Sequence, residues 1–420
     1  MERDRLGLAL STSSAEAAAA YREAIELLMT AWPGALDRFE AAVAADRSFA
    51  LAQIGRARAL QMQGRMAEAR EAAAAAQALA PGLTPREAAH LHILAQLIGG
   101  DAPGASGAAE AHLAAHPRDS LILALLLGAF GLYAFSGRAD HDSARVAICR
   151  RLAPYYEGDW WFAGYLGWSL TEAGEHAEGL AHTQRSLALR PGNANAAHAL
   201  AHAHFDRGEV AAGQDFLAGF LPLYPVMGAL NGHLSWHQAL FLLEQGDVPA
   251  ALALYETRLR PSVSTAPALN TMTDAVSLLW RLELMDAPGR PGWAEVAAFA
   301  AARFPAPGLA FADLHMAMAE AMSGAGPALA ARVAALERLL ESGRLSAGPV
   351  VPALCRGIGA FAAGRFDEAA DILVPMLPEV VRIGGSGAQR DMVLDTAIAA
   401  CLRAGRETAA QAILRRRLMS

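Results

Sequence analysis

The sequence predicts an all-α protein in which paired helices stack into a solenoid, and three observations carry that prediction. Hydrophobic residues fill 54% of the 420 positions, alanine is abundant and runs of β-branched residues are scarce, a composition that favours helix. Chain breakers recur with a beat: Asp46, Pro81, Pro117, Pro154, Pro191 and Pro225 follow one another at intervals of 35, 36, 37, 37 and 34 residues. Between them, glycines such as Gly64, Gly174 and Gly208 fall where a two-helix unit has its turn. The length would suit two or three globular domains, but a solenoid need not split. One domain over 1–420 is expected, with regular repeats over 1–247, less regular helices over 248–347 and C-terminal repeats over 348–420.

The elements follow in order. Ser11 to Ser14 offer N-cap oxygens to a helix over about 15–31, which Pro33 and Gly34 end. A helix over 35–50 completes the first pair, and a second pair runs from Ala50 to Pro81 around Gly64. Thr84 caps the next helix and Pro85 takes its first position, in a unit that closes near Pro117. Leu126 to Pro154 forms a further unit. Pro191 and Pro225 are 34 residues apart, the tetratricopeptide period. Placing both at position 32 puts Trp160 and Ala194 at position 1 of their units, with Leu166, Gly167, Gly174 and Ser186, then Leu200, Ala201, Gly208 and Phe220, in the small and apolar places. Beyond 247 the beat weakens. Segment 248–259 completes a pair, 260–272 reads as a loop rich in Pro, Ser and Thr, 273–285 as an amphipathic helix and 286–292 as a turn. Helices follow over 293–303, 311–323 and 326–342, and two last pairs turn at Gly364 and Gly405. The fold class is thus an α-solenoid of degenerate tetratricopeptide-like helix-turn-helix repeats, open or closed around a central groove.

The same frame selects the candidate functional residues. In such repeats, positions 2, 5, 9, 12 and 13 of the first helix line the concave side. His198 and His202 fall at 5 and 9, and Trp161 and Trp168 at 2 and 9 of the unit before. With Gly246 as the next turn, His233 and Trp236 fall at 2 and 5. The four-residue spacing of His198 with His202, and of His233 with His237, sets each pair on one helix face, about 5–6 Å apart at Cβ. Imidazoles gathered this way suit a shared ligand or acid–base work with a carboxylate. Asp274 is the candidate carboxylate, or a first-turn residue of its helix. His315, among apolar neighbours, is a ligand or a core histidine. In 384–392 the glycines free a loop that leads into a helix, whose first amides, with Ser386, Gln389 and Arg390, could hold an anion; capping by Ser386 and an internal Arg390 ion pair is the alternative. Zinc would find enough donors in the histidine pairs and Asp274. The glutamate of a His-Glu-x-x-His motif is missing, however, with Ala199 and Leu234 in its place, so no metal is assigned and the metal-free version leads.

Several classes are disfavoured. A net charge of −7 and a pI near 6.0 speak against a nucleic-acid surface. Cys149, Cys355 and Cys401 are odd in number and dispersed, which suits a reducing cytoplasm better than a disulfide framework. No apolar run approaches the length of a membrane span, and the N-terminus does not read as a signal peptide. Walker, dinucleotide and nucleophile-elbow motifs do not occur, and no cofactor is named.

The stretches GLALSTSSAEA from Gly7, AAHALAHAHFDRGEVAAG from Ala196, HLSWHQALFLLEQGDVPAALALYE from His233, DAVSLLWRLEL from Asp274, FADLHMAMAEA from Phe311 and GGSGAQRDMVLDTAI from Gly384 resemble, in this order, the tetratricopeptide repeat protein 38 family. The resemblance spans nearly the whole chain. It implies the Ala-His-x-x-Ala-His pattern at His198 and His202, His-x-x-Trp-His at His233, Trp236 and His237, and Gly-Gly-Ser-x-Ala-Gln-Arg-Asp from Gly384 to Asp391. Glu256 and Gly387 depart from it, where aspartate and histidine are expected. The family is biochemically obscure, so the resemblance implies architecture more than activity.

Three functions stand in order. The first is a binding module for a small polar, anionic molecule or a partner peptide, its pocket lined by the histidines and tryptophans above and by Arg390. The second is a hydrolase or lyase with His202 or His233 as base, Asp274 orienting it and Arg390 neutralising the substrate. The third is a structural scaffold whose histidines are simply packed, with homodimerisation left open.

Overall fold

Residues 2–285 and 292–419 are described by the structure, a computed structural model, with the backbone alone for 416–419. Apart from Gly292, the turn expected over 286–292 lies outside the described residues. Among the described residues, twenty-two α-helices pair off in succession: α1 (Ala15–Thr30) with α2 (Ala35–Ala45), α3 (Ala50–Met62) with α4 (Met66–Ala78), α5 (Pro85–Gly99) with α6 (Ala102–Ala115), and α7 (Ser120–Leu127) with α8 (His141–Leu152). Then come α9 (Trp160–Glu172) with α10 (His176–Leu189), α11 (Ala194–Asp206) with α12 (Val210–Phe220), α13 (Asn231–Glu244) with α14 (Val248–Leu254), and α15 (Ala268–Leu284) with α16 (Trp293–Arg303). The last pairs are α17 (Ala310–Met322) with α18 (Gly326–Glu341), α19 (Val350–Ala362) with α20 (Phe366–Met376), and α21 (Gly387–Arg403) with α22 (Glu407–Met419). The described residues contain no strand, only a single antiparallel bridge between Arg3 and Ala9. None of the described helices is long and apolar enough to cross a membrane.

Local chemistry sets the boundaries. Ser14 and Thr84 accept from the amides of Ala17 and Glu87, so both act as N-caps. The turns that follow α11 and α13 use Gly208 and Gly246 at φ 67° and 78°, a left-handed backbone that glycine adopts without strain. Three boundaries differ from expectation. The second helix ends at Ala45 rather than 50, because Asp46 turns extended and its carboxylate takes the Ser48 amide at 2.9 Å. The unit expected from Leu126 instead begins at Ser120, and its first helix stops at Leu127; the Gly131 amide folds back on the Gly128 carbonyl at 2.8 Å and starts an irregular stretch. Helix α15 begins at Ala268, inside the expected loop, because Pro267 caps it in an extended conformation and Thr271 and Thr273 satisfy their hydroxyls locally. Asp274 is therefore inside the helix, not at its start.

The solenoid closes on itself. On one side Asn195 Nδ2 donates to the Met29 carbonyl at 2.8 Å, and Trp32 Nε1 to that of Gly192 at 2.5 Å. On the other, Arg382 Nη1 donates to the Gly137 carbonyl at 3.0 Å, and the Gly387 amide donates to Glu172 Oε2 at 2.8 Å. Two large apolar cores result, one spanning Leu6 to Leu170 and the other Trp236 to Ile413, with α11 between them. Helices α9, α11, α13 and α15, each the first of its pair, are the more buried members, and His202, His233, His237 and Asp274 are buried on them.

Candidate functional site

Helix α11 approaches its neighbours closely because Ala196, Ala199 and Ala203 are buried and small, and because Gly164 on α9 has no side chain where a Cβ would stand 3.4 Å from Ala196 Cβ. That proximity brings His198 and His202 against His233 and His237 of α13. His198 Nε2 lies 2.9 Å from His202 Nε2 and 3.0 Å from His233 Nε2. One nitrogen from each of the four rings lies within 4.8 Å of all the others. Trp168 stacks on His198 and Trp236 on His233, each with ring centroids 5.1 Å apart.

Two carboxylates back this chamber. Asp274 Oδ1 takes His233 Nδ1 at 2.8 Å, and Glu172 Oε1 lies 3.4 Å from His202 Nδ1. Glu172 is held in turn by the Gly387 amide, and Arg390 Nη2 lies 3.9 Å from it while pairing with Asp142 at 3.1 Å. Arg145, fully buried, also pairs with Asp142 and lies over the Trp168 ring at 5.6 Å, with its Nε and Nη1 unpartnered. Both His237 nitrogens and Asp274 Oδ2 are likewise buried without a hydrogen-bond partner.

Burial dominates the electrostatics. It pushes His198, His202 and His237 well below the ordinary imidazole range, with the neighbouring rings adding to the effect, so these three are neutral at pH 7. It raises the Asp274 carboxyl against the pull of His233, and takes Glu172 up to about 7 against that of Arg390. At Asp142 burial is overcome by His141, Arg145 and Arg390, which hold the carboxyl well below its usual range. His198 is the partly exposed member, at the floor of a cavity of about 40 Å³ lined by Trp161, Trp168, Tyr165, Asn193 and Asn195, with room for a water.

The structure thus brings together His198, His202, His233, His237, Trp168, Trp236 and Asp274, with Trp161 in the cavity wall. Ser386 and Gln389 are engaged with each other in a capping box, and Arg390 Nη1 donates to the Gly385 carbonyl at 2.7 Å. The α21 start does face a carboxylate, but one that the chain itself supplies, Glu172. His315 stands apart: Nδ1 bonds its own helix at the Phe311 carbonyl, 2.7 Å away, its Nε2 is unpartnered, and burial lowers it to about 4. Sequence reasoning missed Glu172, Asp142 and Arg145. Glu172 was within reach, since it occupies position 13 of the unit that begins at Trp160. Asp142 and Arg145 lie beside the irregular stretch before α8, where no repeat frame applies.

No protein-family model matches the chain. Among solved structures, a chain of the human IFIT1 dimer with m7Gppp-AAAA is similar at 13% identity over 100% of this chain and 97% of that one, with a TM-score of 0.42. A chain of the Naa15/Naa10 structure bound to HypK-THB is similar at 14% identity over 96% of this chain, with a TM-score of 0.26, and this chain spans 58% of its length. The P58(IPK) TPR domain is similar at 14% identity over 95% of this chain and 89% of that one, with a TM-score of 0.23. The fold is a tetratricopeptide-like helical repeat. What defines it is the succession of helix pairs in this chain, and none of these proteins lends it a function.

Proposed function

We propose that the protein is a helical-repeat member of the tetratricopeptide repeat protein 38 family that binds a small polar ligand in the four-histidine chamber. Solenoids present a concave face to partners; here that face is enclosed, which suits a compact ligand better than an extended peptide. The observation that carries this reading is the set of buried polar atoms without partners, both nitrogens of His237 and Oδ2 of Asp274, beside the clustered nitrogens of the other three rings. Each such atom costs about 1–3 kcal/mol, so a cluster of them is the mark of a place that something else fills. The tryptophan-lined cavity over His198 is the way in. A reducing cytoplasm suits three free, buried cysteines.

A second reading, acid–base catalysis of hydrolysis or elimination without a metal, draws on the 2.8 Å pairing of His233 with Asp274, which would hold His233 as a base at the chamber wall. Both readings predict that Trp168 and Trp236, stacked on the histidines, report occupancy by their emission. The test is titration of the full chain with phosphate and a panel of small carboxylates, alongside His198→Ala. A saturable change in emission that His198→Ala removes is expected. If no compound changes the emission and native mass spectrometry finds no co-purified mass, the reading fails.

A further inference from the structure

We propose that the chamber is a site for one divalent transition-metal ion, held by His198, His202, His233 and His237, with Asp274 and Glu172 as its outer carboxylates. The inference rests on the chamber being a ligand site and names the ligand.

Proton counting carries it. Asp274 accepts from His233 Nδ1, so in the neutral ring, the form in which an imidazole ligates a metal, His233 Nε2 presents a lone pair. His198 Nε2 faces that lone pair at 3.0 Å and His202 Nε2 at 2.9 Å. A single ring nitrogen either donates one hydrogen or accepts. If His198 donates to His233, its contact with His202 gains no hydrogen of its own. If it accepts from His202, its lone pair points at that of His233. One short nitrogen–nitrogen contact is left unsatisfied in either arrangement, while His237 brings two more unpartnered nitrogens. A cation among four lone pairs, one from each ring, resolves both short contacts and takes one of the two His237 nitrogens.

Geometry, charge and donor chemistry agree. Around a tetrahedral ion with metal–nitrogen bonds of about 2.0–2.1 Å, the ligand nitrogens stand roughly 3.3–3.4 Å apart. The two contacts of His198 Nε2, at 2.9 and 3.0 Å, are a few tenths of an ångström shorter and no pair of the four exceeds 4.8 Å, differences that ring tilts on the two helices make up. The charge of a dication is offset by Asp274 and Glu172. Asp274 stands behind His233 at hydrogen-bond distance, as carboxylates behind metal-bound histidines do, fixing ring orientation and tautomer, and Glu172 Oε1 stands 3.4 Å from His202 Nδ1. Four imidazoles and no oxygen donor suit zinc and its late first-row neighbours and disfavour calcium and magnesium. Glu172, His202 and Asp206 form a second possible group, but Asp206 is exposed and the set shares His202, so the four histidines are the stronger site. Sequence reasoning put the metal-free version first for want of a His-Glu-x-x-His motif; here the second pair of ligands comes from the neighbouring repeat instead.

The test uses the full chain, stripped with chelator, desalted and titrated with zinc sulfate or cobalt chloride. One equivalent of zinc retained through desalting, and a tetrahedral cobalt absorption band, are expected from the wild type. His198→Ala and His237→Ala are expected to lose both, and Asp274→Asn to bind about 10–100-fold more weakly. The inference is overturned if the wild type retains no zinc, or if His198→Ala and His237→Ala melt as the wild type does and bind zinc undiminished. Should those two variants fail to fold, the decision passes to Asp274→Asn and to the wild-type melting shift with zinc: a shift weakened by Asp274→Asn supports the inference, and no shift overturns it. An emission response to phosphate or carboxylates without zinc binding would leave the chamber standing and sink the metal. Zinc binding without that response would do the reverse for the polar ligand.

Discussion

Asp274 Oδ1 stands 2.8 Å from His233 Nδ1, with both side chains buried, which fixes the proton on Nδ1 and turns Nε2 toward His198. Asp274→Asn keeps an acceptor for that proton and removes a buried charge, so stability is expected to change by less than about 1 kcal/mol. Asp274→Leu orphans the His233 N–H and is expected to cost about 1–3 kcal/mol. Urea unfolding of the two variants checks the contrast; equal losses would show that the bond does not matter.

Gly167 of α9 and Gly179 of α10 meet backbone to backbone. A Cβ on Gly167 would lie 2.8 Å from the Gly179 carbonyl oxygen, and one on Gly179 2.9 Å from that of Gly167. Alanine at either position forces the helices apart and is expected to destabilise by about 1–3 kcal/mol, read as a lowered midpoint in thermal unfolding. Gly208→Ala, in open space at φ 67°, is expected to act only through backbone strain.

Arg390, near the start of α21, pairs with Asp142 of α8 and donates to the Gly385 carbonyl of its own segment. Arg390→Ala removes one of three partners from the partly buried Asp142, which keeps Arg145 and His141, and is expected to cost about 1–2 kcal/mol. It should also expose the 377–390 segment to limited proteolysis at temperatures the wild type withstands. An unchanged digestion pattern would show that closure does not depend on this pair.

Asp119 accepts from His90 Nδ1 and His112 Nε2, both at 2.9 Å, and lies 3.4 Å from Arg86. Burial opposes its charge, yet the two histidines hold the carboxyl well below its ordinary value of 3.8. The folded protein thus binds fewer protons here than the unfolded chain does. The stabilisation is present above pH 3.8 and is lost as the pH falls below it, at up to about 1.4 kcal/mol per pH unit. Asp119→Asn is expected to be less stable at neutral pH and to show a shallower acid limb when unfolding is followed from pH 5 downward.

Much of this was readable from the chain. The proline beat and the glycine turns marked the helix pairs, because each repeat meets the same local demand. The histidine spacing placed two rings on each of two helices, because four residues make about one turn. The α15 start was misread because Pro, Ser and Thr read as loop, while the structure shows Thr271 and Thr273 returning their hydroxyls to nearby carbonyls. The Glu172 contact with Gly387, and that of Arg390 with Asp142, join residues 215 and 248 positions apart. Neither leaves a period in sequence, and both depend on closure that no single repeat encodes.

That closure also sets an order in time. Synthesis runs from the N-terminus, so α9 to α15, which carry every histidine of the chamber and both of its carboxylates, leave the ribosome before α21 exists. Gly387, which holds Glu172, arrives 215 residues after it. The nascent protein passes through a stage in which the four histidines and both carboxylates are already made while the segment that bonds Glu172 is still unwritten.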